Sequence, residues 1–265
     1  MKAIIWWQLK QRRSFIIGWA FALVALIAAL MAVYPSIRNH APALNKTLNS
    51  LPEALRALKA NSNDLLSPTG YLNSQLYYAT FPLMFGIMSI SLGSSLLAHD
   101  EENHTLELLL ARPISRSRVL LAKALSGVTI VSLVGTIATT GLIAMGSIVK
   151  LHVGIAQLIT ASGYVLLLSL AFGAVAFTLT AVDSTSRKFS LGMASLFAVG
   201  GYIFASLSGL AHWIQTPAKL LPYYYYKPYD ILNGHVSIGL TVYLLAVVGL
   251  GTIVSWLAFR RRDIA

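Results

Sequence analysis

The sequence predicts an all-α integral membrane protein with six transmembrane helices. Three observations carry this. Hydrophobic residues make up 56% of the 265 residues and charged residues only 11%, against about 25% charged in soluble domains. Six apolar runs are long enough to cross the roughly 30 Å of bilayer hydrocarbon, which takes ~20 helical residues. These runs stay apolar on every side, whereas a membrane β-strand alternates polar and apolar residues over ~10 positions.

Residues 1–14 mix Ile4, Ile5, Trp6, Trp7 and Leu9 with Lys10, Gln11, Arg12 and Arg13. Two readings are open: an amphipathic interfacial helix with Trp at headgroup depth, or a plain basic flank that sets topology. The first span, 15–34, is longer than a signal-peptide core, so an uncleaved helix is expected. The outer loop 35–75 is the longest polar segment. Within it Leu44, Leu48, Leu51, Leu55 and Leu58 recur at helical spacing, with Pro52 and a Ser50 N-cap marking a possible second start. It reads as a surface helix or, more sharply, as a lid.

The second span covers 76–98 and the third 119–148, separated by a polar loop at 99–118. The fourth, fifth and sixth spans cover 153–181, 189–210 and 238–259. Before the last lies Leu221-Pro222-Tyr223-Tyr224-Tyr225-Tyr226-Lys227-Pro228-Tyr229-Asp230. Tyrosines gather where one end of the ring stays wet, so an interfacial belt accounts for them, with ligand stacking as the alternative. No repeat or linker divides the chain, so residues 1–265 form a single transmembrane domain.

Orientation follows from Lys and Arg. One side holds Lys2, Lys10, Arg12, Arg13, Arg112, Arg116, Arg118, Lys123, Arg187, Lys188, Arg260, Arg261 and Arg262; the other holds Arg38, Lys46, Arg56, Lys59, Lys150, Lys219 and Lys227. The richer side is predicted to be cytoplasmic, together with both termini, in a multi-pass cell membrane protein of prokaryotic type. The net charge of +11 is then topological. No basic stripe with interleaved aromatics points to nucleic acid.

Several chemistries are closed. The chain has no cysteine, hence no disulfide, thiolate metal site or thiol nucleophile. His99 and His104 are five apart, about 140° around a helix, and cannot share a metal as a His-x-x-x-His pair would. A Glu-Glu-x-x-x-Arg protease pattern starting at Glu101 would need Arg where Leu106 stands. Serines lack a His or Lys partner at membrane depth. No Asp, Glu, His or Arg relay lies inside a span, as an ion-coupled carrier would need. Neither catalytic residues nor a metal site is predicted. The third span instead carries Ser126, Thr129, Ser132, Thr136 and Thr139 every three or four residues. Such a stripe eases helix packing or, alternatively, lines a translocation path.

The loop at 99–118 holds four of the nine acidic residues. A charge at a membrane helix centre costs about 3 kcal/mol, so the cluster must lie outside hydrocarbon. Leu106, Leu109 and Leu110 form an i, i+3, i+4 face. Glu101 and Glu102 are expected in the first turn of a short amphipathic helix, with Arg112 in its last turn before Pro113 stops it.

The segment Ala98 to Lys123 resembles the loop between the second and third spans of type-2 permeases of ATP-binding-cassette (ABC) exporters. The shared residues are the acidic pair Glu101 and Glu102, Thr105-Leu106-Glu107-Leu108-Leu109-Leu110, Arg112-Pro113-Ile114-Ser115-Arg116 and the downstream Lys123. The amphipathic start, six spans, long first outer loop with Gly70-Tyr71-Leu72-Asn73, and aromatic-Pro turn also agree. His104 departs from the pattern, standing where the family usually has Gly.

The resemblance implies a permease that pairs with a second copy, as homo- or heterodimer, and binds separate ABC ATPase subunits. The loop helix would be the coupling element, formed by Glu101, Glu102, Thr105, Leu106, Glu107, Leu109, Leu110, Arg112 and Pro113. The chain has no Gly-x-x-x-x-Gly-Lys-Ser/Thr loop. It is therefore expected to be no enzyme itself, with ATP and Mg on the partner. Export of a hydrophobic or amphipathic cargo by alternating access is the leading expectation. The alternatives are a non-exporting sensory or envelope-assembly subunit and an intramembrane enzyme.

Overall fold

The computed structural model describes residues 2–39, 67–102, 115–182, 187–209 and 212–261. These form helices and no strand. Helix α1 is Lys2–Gln11, and α2, Arg13–Asn39, is the first span. The short α3, Pro68–Leu72, leads through a π-helical turn at Asn73–Tyr77 into α4, Thr80–Glu102. Helices α5, Arg116–Ile148, α6, Ile155–Val182, and α7, Arg187–Leu207, follow. Three short helices, α8 His212–Ala218, α9 Pro222–Tyr225 and α10 Pro228–Leu232, precede α11, Ile238–Arg261.

Six helices are long and apolar enough to cross a membrane, so the predicted all-α, six-span class holds. Several helices outrun the predicted spans, whereas the fourth starts at Ile155 rather than 153 and the fifth ends at Leu207 rather than 210. The first continues through Pro35 to Asn39, and the third begins at Arg116 rather than 119. Regular backbone extends into the polar headgroup zone, where charged side chains no longer stop a helix. The Leu44–Leu58 stripe, with Ser50 and Pro52, lies outside the described residues.

Helix α1 joins α2 with little interruption. Its backbone bonds run on across the joint, Arg12 N donating to Gln8 O and Ile16 N to Arg12 O. Trp6 and Trp7 are exposed.

The centre of the bundle is the α4–α6 pair, the largest helix–helix interface, with α11 on the far side of α6. A Cβ placed on Gly93 would overlap the carbonyl oxygen of Gly173, and one on Gly173 would overlap Ser89 Oγ. Absent side chains at this crossing let the two backbones touch, the way membrane helices gain van der Waals contact without a hydrophobic driving force. Hydroxyls tie α11 to α6: Thr178 Oγ1 donates to Gly251 O at 3.0 Å, and Ser255 Oγ donates to Thr178 Oγ1 at 3.1 Å.

At the end opposite the termini, the connection between α7 and α11 folds back onto the bundle. Pro222 and Pro228 each open a short helix, where proline's missing N–H costs nothing. The four consecutive tyrosines then divide. Tyr225 is exposed, whereas Tyr223 and Tyr226 are buried. Tyr223 stacks on Phe172 at 5.9 Å and meets Tyr202 and Tyr226 edge-on, and Tyr226 Oη donates to Tyr77 O at 2.9 Å. The uniform interfacial belt is thus corrected: two tyrosines are core residues that close this end of the bundle.

Candidate functional site

Helices α1, α4, α5 and α11 meet at the end of the bundle that carries both termini. Here α4 runs without a break through Ser95, Leu96, Ala98 and His99 to Glu102. Glu101 and Glu102 are therefore helical residues continuous with the second span, not the first turn of a separate helix. Nothing between Ala98 and Glu102 breaks a helix, so the expected boundary at 98 moves outward. Thr105, Leu106, Glu107, Leu109, Leu110, Arg112 and Pro113 lie outside the described residues. Backbone is described again from Ser115, and α5 starts at Arg116.

Two cations from different helices reach α4 at the neighbouring residues Ser95 and Leu96. From the α1–α2 joint, Arg12 Nη1 donates to Ser95 Oγ at 2.7 Å and Nη2 to Ser95 O at 3.1 Å. Its Nε donates to Gln8 Oε1 at 3.3 Å, and Gln8 is fully buried on the only buried face of α1. From α5, Lys123 Nζ donates to Leu96 O at 2.6 Å, with the lysine wholly buried.

The local sequence of α5 allows this. Lys123, Ser126 and Gly127 sit on one face at i, i+3 and i+4, and a Cβ on Gly127 would come within 2.9 Å of Leu96 Cδ1. The small residues bring α5 close enough for lysine to reach a backbone oxygen.

Farther in, a cleft of about 60 Å³ lies among Ser89, Gly93, Gly127, Gly173, Phe177 and Thr252. It is far below the roughly 300–1,000 Å³ of small-molecule sites. At the opposite end Tyr224, Tyr225, Lys227, Asp230 and His235 border a surface groove of about 320 Å³.

The predicted hydroxyl stripe does not stay together. Ser126 is buried and donates to Ala122 O, while Thr129, Ser132 and Thr136 are exposed on the outside of the bundle. Thr129, Thr136 and Thr139 each donate to the carbonyl four residues back. Ser126 lies about 60° around α5 from Thr129, on the buried side, whereas Thr129, Ser132, Thr136 and the half-buried Thr139 keep to one face.

Sequence reading noted Lys123 as part of a pattern and Arg12 only as a flank. It missed their convergence on α4, for which the spacing Lys123, Ser126, Gly127 is the available signal. It also missed the short helix α3, although Ser67-Pro68 announces it: Ser67 Oγ accepts from Gly70 N at 3.0 Å.

A model of the ABC-2 family of transporter proteins matches residues 3–263, nearly the whole chain. The chain belongs to the ABC-2 transporter family. No curated protein matches it. The chain is thus a multi-pass membrane permease subunit of an ABC transporter, and family membership implies partnership with an ABC ATPase subunit. In this ABC-2 permease Arg12 and Lys123 converge on α4 at Ser95 and Leu96, within the helix that continues to Glu102.

Proposed function

We propose that the permease exports a hydrophobic or amphipathic cargo, driven by a separate ABC ATPase that docks on the loop following α4. The end bearing both termini and most Lys and Arg faces the cytoplasm of a prokaryotic cell. Two permease chains, identical or different, pair across the membrane and alternate between inward-open and outward-open states. ATP and Mg bind the partner, and this chain catalyses nothing.

The observation that carries the reading is the continuity of α4 from the core of the bundle through Glu102. A push on the loop beyond it acts on the end of a rod whose other part is packed along α6. Leu106, Leu109 and Leu110 supply the apolar contact, and Glu101, Glu102, Glu107 and Arg112, flanked by Thr105 and Pro113, set register by charge. The outward-facing Thr129, Ser132 and Thr136 can line a path only if a second chain covers them. Cargo class follows from span interiors that, apart from Lys123 near one end of α5, offer only apolar and hydroxyl groups.

The test is co-purification of the permease with candidate ABC ATPases, then nucleotide-dependent transport of an amphipathic dye in proteoliposomes. Replacing Leu109→Glu and Leu110→Glu together should abolish co-purification while the permease still inserts and remains monodisperse. Undiminished co-purification and ATP-driven transport in that variant would place the docking surface elsewhere.

A further inference from the structure

We propose that Arg12 and Lys123 are positioning residues for energy coupling, a two-sided clamp that joins the end of α4 to α1 and α5. The proposal rests on the reading that an ABC ATPase acts on the loop beyond α4.

The geometry is specific. Ser95 and Leu96 are neighbours in α4, so their carbonyls, both aligned roughly along the axis, sit about 100° apart around the helix. Arg12 holds the first, together with its hydroxyl, and Lys123 holds the second. Two cations from different helices on adjacent carbonyls prevent α4 from rotating or tilting alone. A single contact would act as a pivot; two fix a direction.

The anchors themselves are fixed. Lys123 is fully buried, so its ammonium cannot swing into water without opening the α4–α5 interface. Arg12 is braced by Gln8, whose burial seats α1 against α5. A displacement of the loop is then shared among α1, α4 and α5 instead of bending α4 by itself.

The experiment uses the full-length permease in complex with the ABC ATPase that co-purifies with it. The chain has no cysteine, so cysteines introduced at the exposed Gln11, on the clamped unit, and the exposed Lys188, at the start of α7 outside it, can be spin-labelled without background. The distance between them is measured with and without Mg-ATP and vanadate. In the otherwise native chain, nucleotide should shift the distance distribution. In Arg12→Gln and in Lys123→Met the ATPase should remain bound, and the ratio of shifted to unshifted populations should fall about twofold to thirtyfold. Arg12→Lys, which keeps the charge but not the fork, should recover part of the shift.

Native-like shifts in both variants, with the ATPase bound, would overturn the clamp and leave the proposed function standing. Loss of folded, monodisperse permease in both variants, unrelieved by Arg12→Lys, would mark the contacts as structural only and also overturn it. Failure of the native permease to bind any ABC ATPase would refute the functional reading itself.

Discussion

The Gly93–Gly173 crossing is the tightest test of the architecture, because its cost can be worked from atoms that cannot move aside. In Gly93→Ala the new methyl would overlap Gly173 O and lie 3.2 Å from Gly173 C and 3.3 Å from Phe177 N, all of them backbone atoms of α6. No rotamer change relieves this; the helices must separate along the largest interface in the molecule. Overpacking costs about 1–3 kcal/mol, and a backbone-only clash belongs at the upper end, about 3 kcal/mol. Alanine returns about 1 kcal/mol through helix propensity. The net expectation is a loss of about 2 kcal/mol.

Gly173→Ala differs in kind, since its methyl would chiefly overlap Ser89 Oγ, a side-chain atom. Removing that oxygen with Ser89→Ala should partly rescue Gly173→Ala and do nothing for Gly93→Ala. Gly163→Ala, where a Cβ meets nothing within 4 Å, is the control. The assay is reversible unfolding of the purified permease from mild detergent into SDS, followed by circular dichroism. If Gly93→Ala unfolds at the same SDS fraction as Gly163→Ala, α4 and α6 do not approach this closely and the core described above is wrong.

Two further predictions concern buried polar groups. Thr178→Val removes the hydroxyl shared with Gly251 O and Ser255 Oγ. Membrane hydrogen bonds of this kind average about 0.6 kcal/mol and reach ~1.7, so the same SDS assay should show a loss within that range, against none for Thr129→Val. Burial pushes the Tyr223 and Tyr226 hydroxyls well above their ordinary value of 10.0, with neighbouring tyrosines adding to the effect. A raised folded value means the stabilisation is complete below pH 10 and is lost as pH rises above it, when only the unfolded chain ionises. Tyr223→Phe should therefore flatten the alkaline decline in stability; a decline identical to that of the native permease would show that Tyr223 is not buried.

What could be read from sequence divides along a physical line. Spans are legible because lipid imposes one demand on every side of a helix for twenty residues, and that demand is a property of composition alone. The split of the tyrosines is not legible: Tyr223, Tyr224, Tyr225 and Tyr226 offer no contrast in hydropathy, and only the turn begun by Pro222 decides which rings face Phe172. Lys123 is legible as a residue but not as a contact, since its acceptor is a carbonyl, which every position of α4 possesses.

The reading of Glu101 and Glu102 shows how a local rule is overruled. Acidic residues favour helix N-termini, so a new helix starting there was the natural expectation. That preference is worth only about 0.3–1 kcal/mol near a surface. Starting a separate helix requires ending α4 first, and Ala98-His99-Asp100 contains neither glycine nor proline to do so. Breaking α4 would also strand the carbonyls of its last turns, which helix continuation, Arg12 and Lys123 keep engaged. The charge preference loses to hydrogen bonding, and the acidic pair continues the second-span helix rather than opening a new one.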